Sequence, residues 1–315
     1  MSDTPFEAPR DPEQIHEILP APPEPPGYLW HPMERPVPQL ELAPPPPAPP
    51  KLIPNIGHVV VFLLLLIPSF VAGFLITFFA LMVIVHPRNA GALAPLILKN
   101  VAYAVTMQDV WYILQWALAA LVFSLWWHRS FFKGIHWNFS TALRRFLLLA
   151  GLGALTGLAI TLAGNFLPMP KDPEILKDLT TSRAGAWALL AFGVTLAPLT
   201  EELAFRGFLL PSLVNIFRWL ERKTIIGRDT VSLIGIPISI VLTSIPFALM
   251  HSPQVSGSWG PVLLIGCVSV ILCIVRLATD SVAAGVVVHA CYNLTLFSGL
   301  LYQTDWFRHL DKLKM

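Results

Sequence analysis

Three side chains that carry charge, Glu201, Glu202 and Arg206, lie within the stretch Thr200-Glu201-Glu202-Leu203-Ala204-Phe205-Arg206-Gly207, inside an apolar run that begins near Ala184. A charge in the middle of a bilayer costs at least a few kcal/mol, so ionisable residues kept there are functional by default. In a helix Glu202 and Arg206 stand four apart on one face and can pair. Glu201 points about a hundred degrees away and needs another partner. Two histidines further on can supply it. His251 ends the apolar segment that carries Phe247, and His289 shares a later segment with Asn293, again four apart and so on one helical face.

Glu201 with a histidine can hold and deprotonate a water molecule, while a second histidine and an Asn amide can donate hydrogen bonds to the oxyanion formed when that water attacks a carbonyl. This is the equipment for peptide hydrolysis without a covalent intermediate. No serine or cysteine is set as a nucleophile: Ser252 adjoins His251 without a separate base, and Cys291 falls on a different face from His289. A metal reading uses the same residues, with Glu201, His251 and His289 as zinc ligands and Asn293 as a weak fourth. The chain has no HExxH motif, which weighs against that alternative; the expectation is no cofactor.

The elements that must position these groups are membrane helices. With 315 residues, 55% hydrophobic and only 13% charged, and a mean hydropathy of +0.64, the chain reads as an all-α, polytopic integral membrane protein. The formal charge of +2 and the scatter of basic residues imply no nucleic-acid partner. Cys267, Cys273 and Cys291 sit in apolar runs without CxxC spacing and read as packed core thiols. Residues 1–54 hold 18 of the 30 prolines and form a disordered, proline-rich tail by composition, leaving 55–315 as the transmembrane domain. No basic-then-apolar leader opens the chain, so the first membrane helix is expected to serve as an uncleaved anchor.

Seven apolar runs are long enough to cross, near 58–85, 108–127, 146–167, 185–210, 231–250, 260–277 and 281–302, since a crossing takes about 20 residues. The third, with Gly151, Gly153 and Gly157, suits close helix packing. A weaker stretch, 89–106, broken by Pro95 and Lys99, is an eighth crossing, a re-entrant segment or an interfacial helix. Arg129, Lys133, Arg144 and Arg145, and then Arg218, Arg222, Lys223 and Arg228, mark two cytoplasmic loops, with the N-terminal tail on the same side and, with seven crossings, the C-terminus outside. Trp126, Trp127, Trp137, Trp187 and Trp219 fall near run ends, as an aromatic belt requires. One conflict follows: with a fourth helix ending near Leu210, Glu201 lies about 14 Å from that end, whereas His251 closes the next run at the far face. Kinks at Pro198, Pro211, Pro237 and Pro246, or a fifth crossing that starts after Thr230, would reconcile them.

The motifs EELAFRG, FALMH (Phe247 to His251) and VVVHACYN, with His289 and Asn293, occur in the order seen in the CAAX-protease and bacteriocin-processing (CPBP) intramembrane proteases, the family that includes type II CAAX prenyl endopeptidases, and residues 180–300 resemble that family. The turn Arg276-Leu-Ala-Thr-Asp-Ser281 is similar as well. The resemblance implies Glu201 as general base, His251 as its partner on the water, His289 with Asn293 as the oxyanion site, and Glu202 and Arg206 as a supporting pair, with Phe247 a further supporting residue. It implies a peptide or membrane-protein tail, prenylated or not, as substrate. The competing readings are a catalytically idle, immunity-type binding or scaffold protein, and a proton-coupled transporter using the same ionisable groups. No internal repeat of the kind transporters show is visible.

Overall fold

The computed structural model describes residues 51–87, 89–170 and 173–313, and every regular element among the described residues is helical. In chain order the main elements are α1 (Ile56–Val85), α2 (Leu93–Lys99), α3 (Val101–Trp127), α4 (Phe146–Gly164), α5 (Glu174–Thr181), α6 (Arg183–Arg222), α7 (Arg228–Met250), α8 (Trp259–Thr279) and α9 (Val282–Gln303), with two short helical turns, Phe131–Gly134 and Phe139–Arg144, between α3 and α4. All but α2 and α5 are long and apolar enough to cross a bilayer, which gives seven such helices among the described residues. In hydrocarbon only a helix pairs all of its own backbone polar groups within one segment. The outer faces suit lipid: Leu147 is 85% exposed, Leu233 75% and Val83 70%. The protein is a multi-pass integral membrane protein. The proline-rich tail, up to residue 50, lies outside the described residues.

The stretch 89–106 makes no eighth crossing. Leu93–Lys99 is a short helix, Asn100 is extended, and its side chain accepts from the Ala102 and Tyr103 N–H groups to cap α3, which takes up the rest. Asn55, Ser182 and Ser281 cap α1, α6 and α9 in the same manner, each satisfying a donor that a helix start leaves open. Helix α1 bends at Leu65, three residues before Pro68, whose missing N–H and bulky ring disrupt the preceding turn. Gln115 of α3 donates to the Phe62 carbonyl at 3.1 Å, Ser69 donates to the Leu65 carbonyl at 2.8 Å, and Trp111 donates to Ser69 at 3.1 Å. The bend is thus held by polar side chains from the neighbouring helix.

Helices α4 and α9 pack closely, as the glycines of α4 suggested. A Cβ at Gly157 would stand 2.8 Å from the Thr295 Cβ, and one at Gly153 would meet the Val288 carbonyl and Cys291; Gly151 instead faces open space. The connection 128–145 folds back over the start of α9, where the Val282 and Ala283 N–H groups donate to the His136 and Trp137 carbonyls at 3.0 and 3.1 Å. Trp126, Trp187 and Trp219 are exposed at helix ends, but Trp127 and Trp137 pack into an aromatic cluster with Phe123, Phe131 and Phe208. The thiols also divide: Cys273 is buried and Cys291 half-buried, whereas Cys267 is exposed on the lipid side of α8 rather than packed.

Candidate active site

Prolines shape the helix that carries Glu201. Pro198 cannot donate to the preceding turn, and α6 breaks at Thr195, whose φ of −125° and ψ of −87° are not helical. The Thr195 hydroxyl donates to the Ala191 carbonyl at 2.5 Å across the break. Two widened π-helical segments, Leu203–Leu209 in α6 and Val231–Gly235 in α7, end two residues ahead of Pro211 and Pro237. A wider turn relieves the clash of each proline ring with the preceding carbonyls, and π-bulges of this kind recur at functional sites.

The conflict over depth resolves at the other end of these helices. Helix α6 does not stop near Leu210 but continues as an amphipathic segment, Leu210–Arg222, so Arg218 and Arg222 belong to the helix and the connection is 223–227. Helix α7 begins before Thr230, not after it. Glu201 is then about 31 Å from Arg222 along α6, and His251 about 34 Å from Arg228 along α7, at about 1.5 Å per residue. The two arms of this helical hairpin are matched in length. Phe217 packs against Gly235 between them, where a Cβ would stand 2.6 Å from the Phe217 Cγ.

At the meeting point, Glu201 Oε2 lies 3.6 Å from His251 Nε2 and 3.8 Å from His289 Nε2, and it has no hydrogen-bond partner. Each imidazole is oriented by its other nitrogen. His251 Nδ1 is 2.8 Å from the Phe247 carbonyl and so donates to it, and His289 Nδ1 is 3.2 Å from Glu202 Oε1. Both histidines therefore turn Nε2 toward Glu201. The distances at Glu201 exceed a direct hydrogen bond and are of the size that one bridging water spans.

Behind this group lies a sealed pair. Glu202 and Arg206 are both 0% exposed, with Arg206 Nη1 donating to Glu202 Oε1 at 2.9 Å. Arg206 Nη2 donates to the Ser269 carbonyl and hydroxyl at 2.9 and 2.8 Å, and the guanidinium covers the Phe247 ring at 4.6 Å. Phe247, 1% exposed, also contacts the rings of Phe205, His251 and His289 at 5.1, 4.8 and 5.9 Å between centroids. Arg276 extends the network by donating to the Arg206 carbonyl at 3.2 Å and to Asp280 at 2.9 Å.

Asn293 lines the same cavity, of about 340 Å³, as Glu201, His251 and His289, and donates one amide hydrogen to the Gly193 carbonyl at 2.6 Å. That bond closes the wall at the Thr195 break and leaves the second N–H of Asn293. All seven residues singled out from the sequence thus converge, either on the cavity or directly behind it. Several partners went unread. Ser269 anchors Arg206, Gly193 receives Asn293, and Gly285 admits Glu202, since a Cβ there would stand 2.5 Å from Glu202 Oε2. Gln108, Asp178 and Gln254 line the cavity. Asp109, half-buried in α3 with Oδ1 unpartnered, was readable by the same rule as Glu201, an ionisable residue within an apolar run, and was passed over. Among the described residues no group of three or more His, Cys, Asp and Glu side chains is arranged as a metal-binding cluster.

No curated protein and no solved structure matches the chain. Residues 183–295, which carry Glu201, Glu202, Arg206, His251, His289 and Asn293, match the family model described as type II CAAX prenyl endopeptidase Rce1-like, and it is to this family that this part of the chain is similar.

Proposed function

We propose that the protein is an intramembrane endopeptidase in which Glu201 activates water against a peptide carbonyl. The observation that carries this reading is the convergence of Glu201 Oε2, His251 Nε2 and His289 Nε2 at 3.6 and 3.8 Å on one cavity wall. An oxygen about 2.8 Å from both Glu201 and His251 fits beside the line joining them. Glu201 takes a proton from this water as its oxygen attacks the carbonyl carbon. His289, through Nε2–H, and the second amide hydrogen of Asn293 donate to the oxyanion. Glu201 then passes its proton to the amide nitrogen, the C–N bond breaks, and an acid and an amine leave. Glu202 holds His289 by Nδ1, and Arg206 holds Glu202.

The family points to CAAX-type tails, prenylated or not, among the peptide substrates. The two basic segments around Arg129–Arg145 and Arg218–Arg228 favour a cytoplasmic N-terminal tail. Incubating the purified protein in detergent with membrane-derived peptides tests the assignment: cleavage at defined bonds supports a protease, and intact peptides with proton-coupled uptake in vesicles support a transporter. A zinc mechanism is the alternative chemistry. It predicts inactivation by phenanthroline with recovery on added zinc, whereas the water-activation reading predicts full activity in the chelator.

A further inference from the structure

The charge on the cavity wall bears on which peptide it takes. Among the described residues that line it, the ionisable side chains are Asp178, Glu201, His251, His289 and Tyr292; none is Lys or Arg. Arg206 stands behind the wall but is 0% exposed, and both of its terminal nitrogens are committed to Glu202 and Ser269. Asp178, from α5, is exposed at the mouth beside Gln254, on the segment Ser252–Val255 against which α5 packs. Asp178 has no hydrogen bond or ion pair with the described residues, and its neighbour Lys177 is engaged by Glu174 at 2.6 Å. Partial burial, and then the charge of Glu174, push the Asp178 carboxyl up from its ordinary value, the behaviour of a carboxylate that lacks a cation.

Resting on the endopeptidase reading, we propose that Asp178 is a specificity residue that receives a basic side chain of the substrate, so that the preferred substrate is a membrane-associated peptide with Lys or Arg within a few residues of the scissile bond. The apolar wall built from Phe192, Leu189, Ile265 and Leu296 accepts the uncharged neighbours of that basic residue.

The test uses apolar peptides that differ only in bearing Lys, Gln or Glu at each position within three residues of the scissile bond. An exposed ion pair is worth up to about fivefold, and repulsion of Glu adds a similar factor, so kcat/KM for the best Lys peptide should exceed that of its Glu counterpart about tenfold or more at low salt and less at high salt. Asp178→Asn should remove most of this difference, and Asp178→Lys should invert it, each read as the ratio of kcat/KM for the Lys and Glu peptides within one variant. Equal cleavage of Lys and Glu peptides, or an undiminished preference in Asp178→Asn, overturns the proposal while the endopeptidase reading stands. Binding of fluorescent forms of the peptides to Glu201→Gln protein gives a second readout. Should the wild type cleave none of them, the endopeptidase reading fails. In that event a Lys preference in binding that Asp178→Asn abolishes still supports the role of Asp178, and equal binding overturns it.

Discussion

Replacing Arg206 by Ala probes the support behind the site most sharply. The side chain is 0% exposed, pairs with Glu202 at 2.9 Å, makes two hydrogen bonds to Ser269 and covers the Phe247 ring at 4.6 Å. Removing it leaves the Glu202 carboxylate buried with only His289 beside it, and breaking a buried ion pair from one side costs about 3–5 kcal/mol. The desolvated cation–π contact adds about 2 kcal/mol at most, and the two losses overlap because the same guanidinium makes both. A loss near 4 kcal/mol corresponds to about 10 °C in the unfolding temperature of a body this size. Thermal unfolding in detergent, followed by fluorescence of the tryptophans, measures it. The double variant Glu202→Gln/Arg206→Met separates the causes: it leaves no unpaired charge and keeps an acceptor for His289, so it should recover more than half of the lost stability. An Arg206→Ala protein that unfolds at the wild-type temperature, or a double variant less stable than Arg206→Ala, refutes the assignment of this pair to structure.

Four other outcomes are expected. Gly285→Ala should cut activity at least tenfold with a smaller loss of stability, because its Cβ would stand 2.5 Å from Glu202 Oε2 and displace the carboxylate whose other oxygen, Oε1, holds His289; kinetics and unfolding on the same sample check it. Asn293→Asp should lower the rate by about a hundredfold or more by turning a negative charge toward the developing oxyanion, where a zinc site would be strengthened instead. Asp280 lies outside the crossings. Burial pushes its carboxyl up, but hydrogen bonds from His136 and Arg276 and their charges outweigh this and hold it below its ordinary value of 3.8. Stability from this group is present above about pH 4 and lost as pH falls through the lowered value, so Asp280→Asn should flatten the acid limb of an unfolding profile that the wild type shows. Deleting residues 1–50, none of which belongs to the constellation, should leave peptidase activity within a few-fold; a deletion variant that extracts normally but is inactive contradicts this.

Much of the site was legible because each of its ionisable residues stands out against an apolar run. Glu201, Glu202 and Arg206 announce themselves by the cost of burying them, and the spacings of Glu202 with Arg206 and of His289 with Asn293 fix which of them share a face. Ser269, Gly193 and Gly285 gave no such signal. Each is a small residue whose role comes from the helix lying across from it, through a carbonyl, a hydroxyl or the lack of a Cβ. The apparent clash in depth arose from reading hydropathy as helix length. Asn215, Arg218, Glu221 and Arg222 lower the hydropathy after Leu210, but the backbone stays helical because Leu210, Val214 and Asn215 are buried along one face. The same limit produced the uncertain stretch at 89–106, where Asn100 acts as a cap at a position that composition alone cannot identify.

The central claim is that Glu201 is the base, and single-turnover hydrolysis of a bound peptide by Glu201→Gln protein tests it most directly. The amide keeps the size and hydrogen-bonding reach of the carboxylate but cannot take a proton from water. The account predicts wild-type folding, peptide binding within a few-fold of wild type, and a hydrolysis rate lower by about a thousandfold or more. A Glu201→Gln protein that binds the peptide and cleaves it at close to the wild-type rate would contradict it.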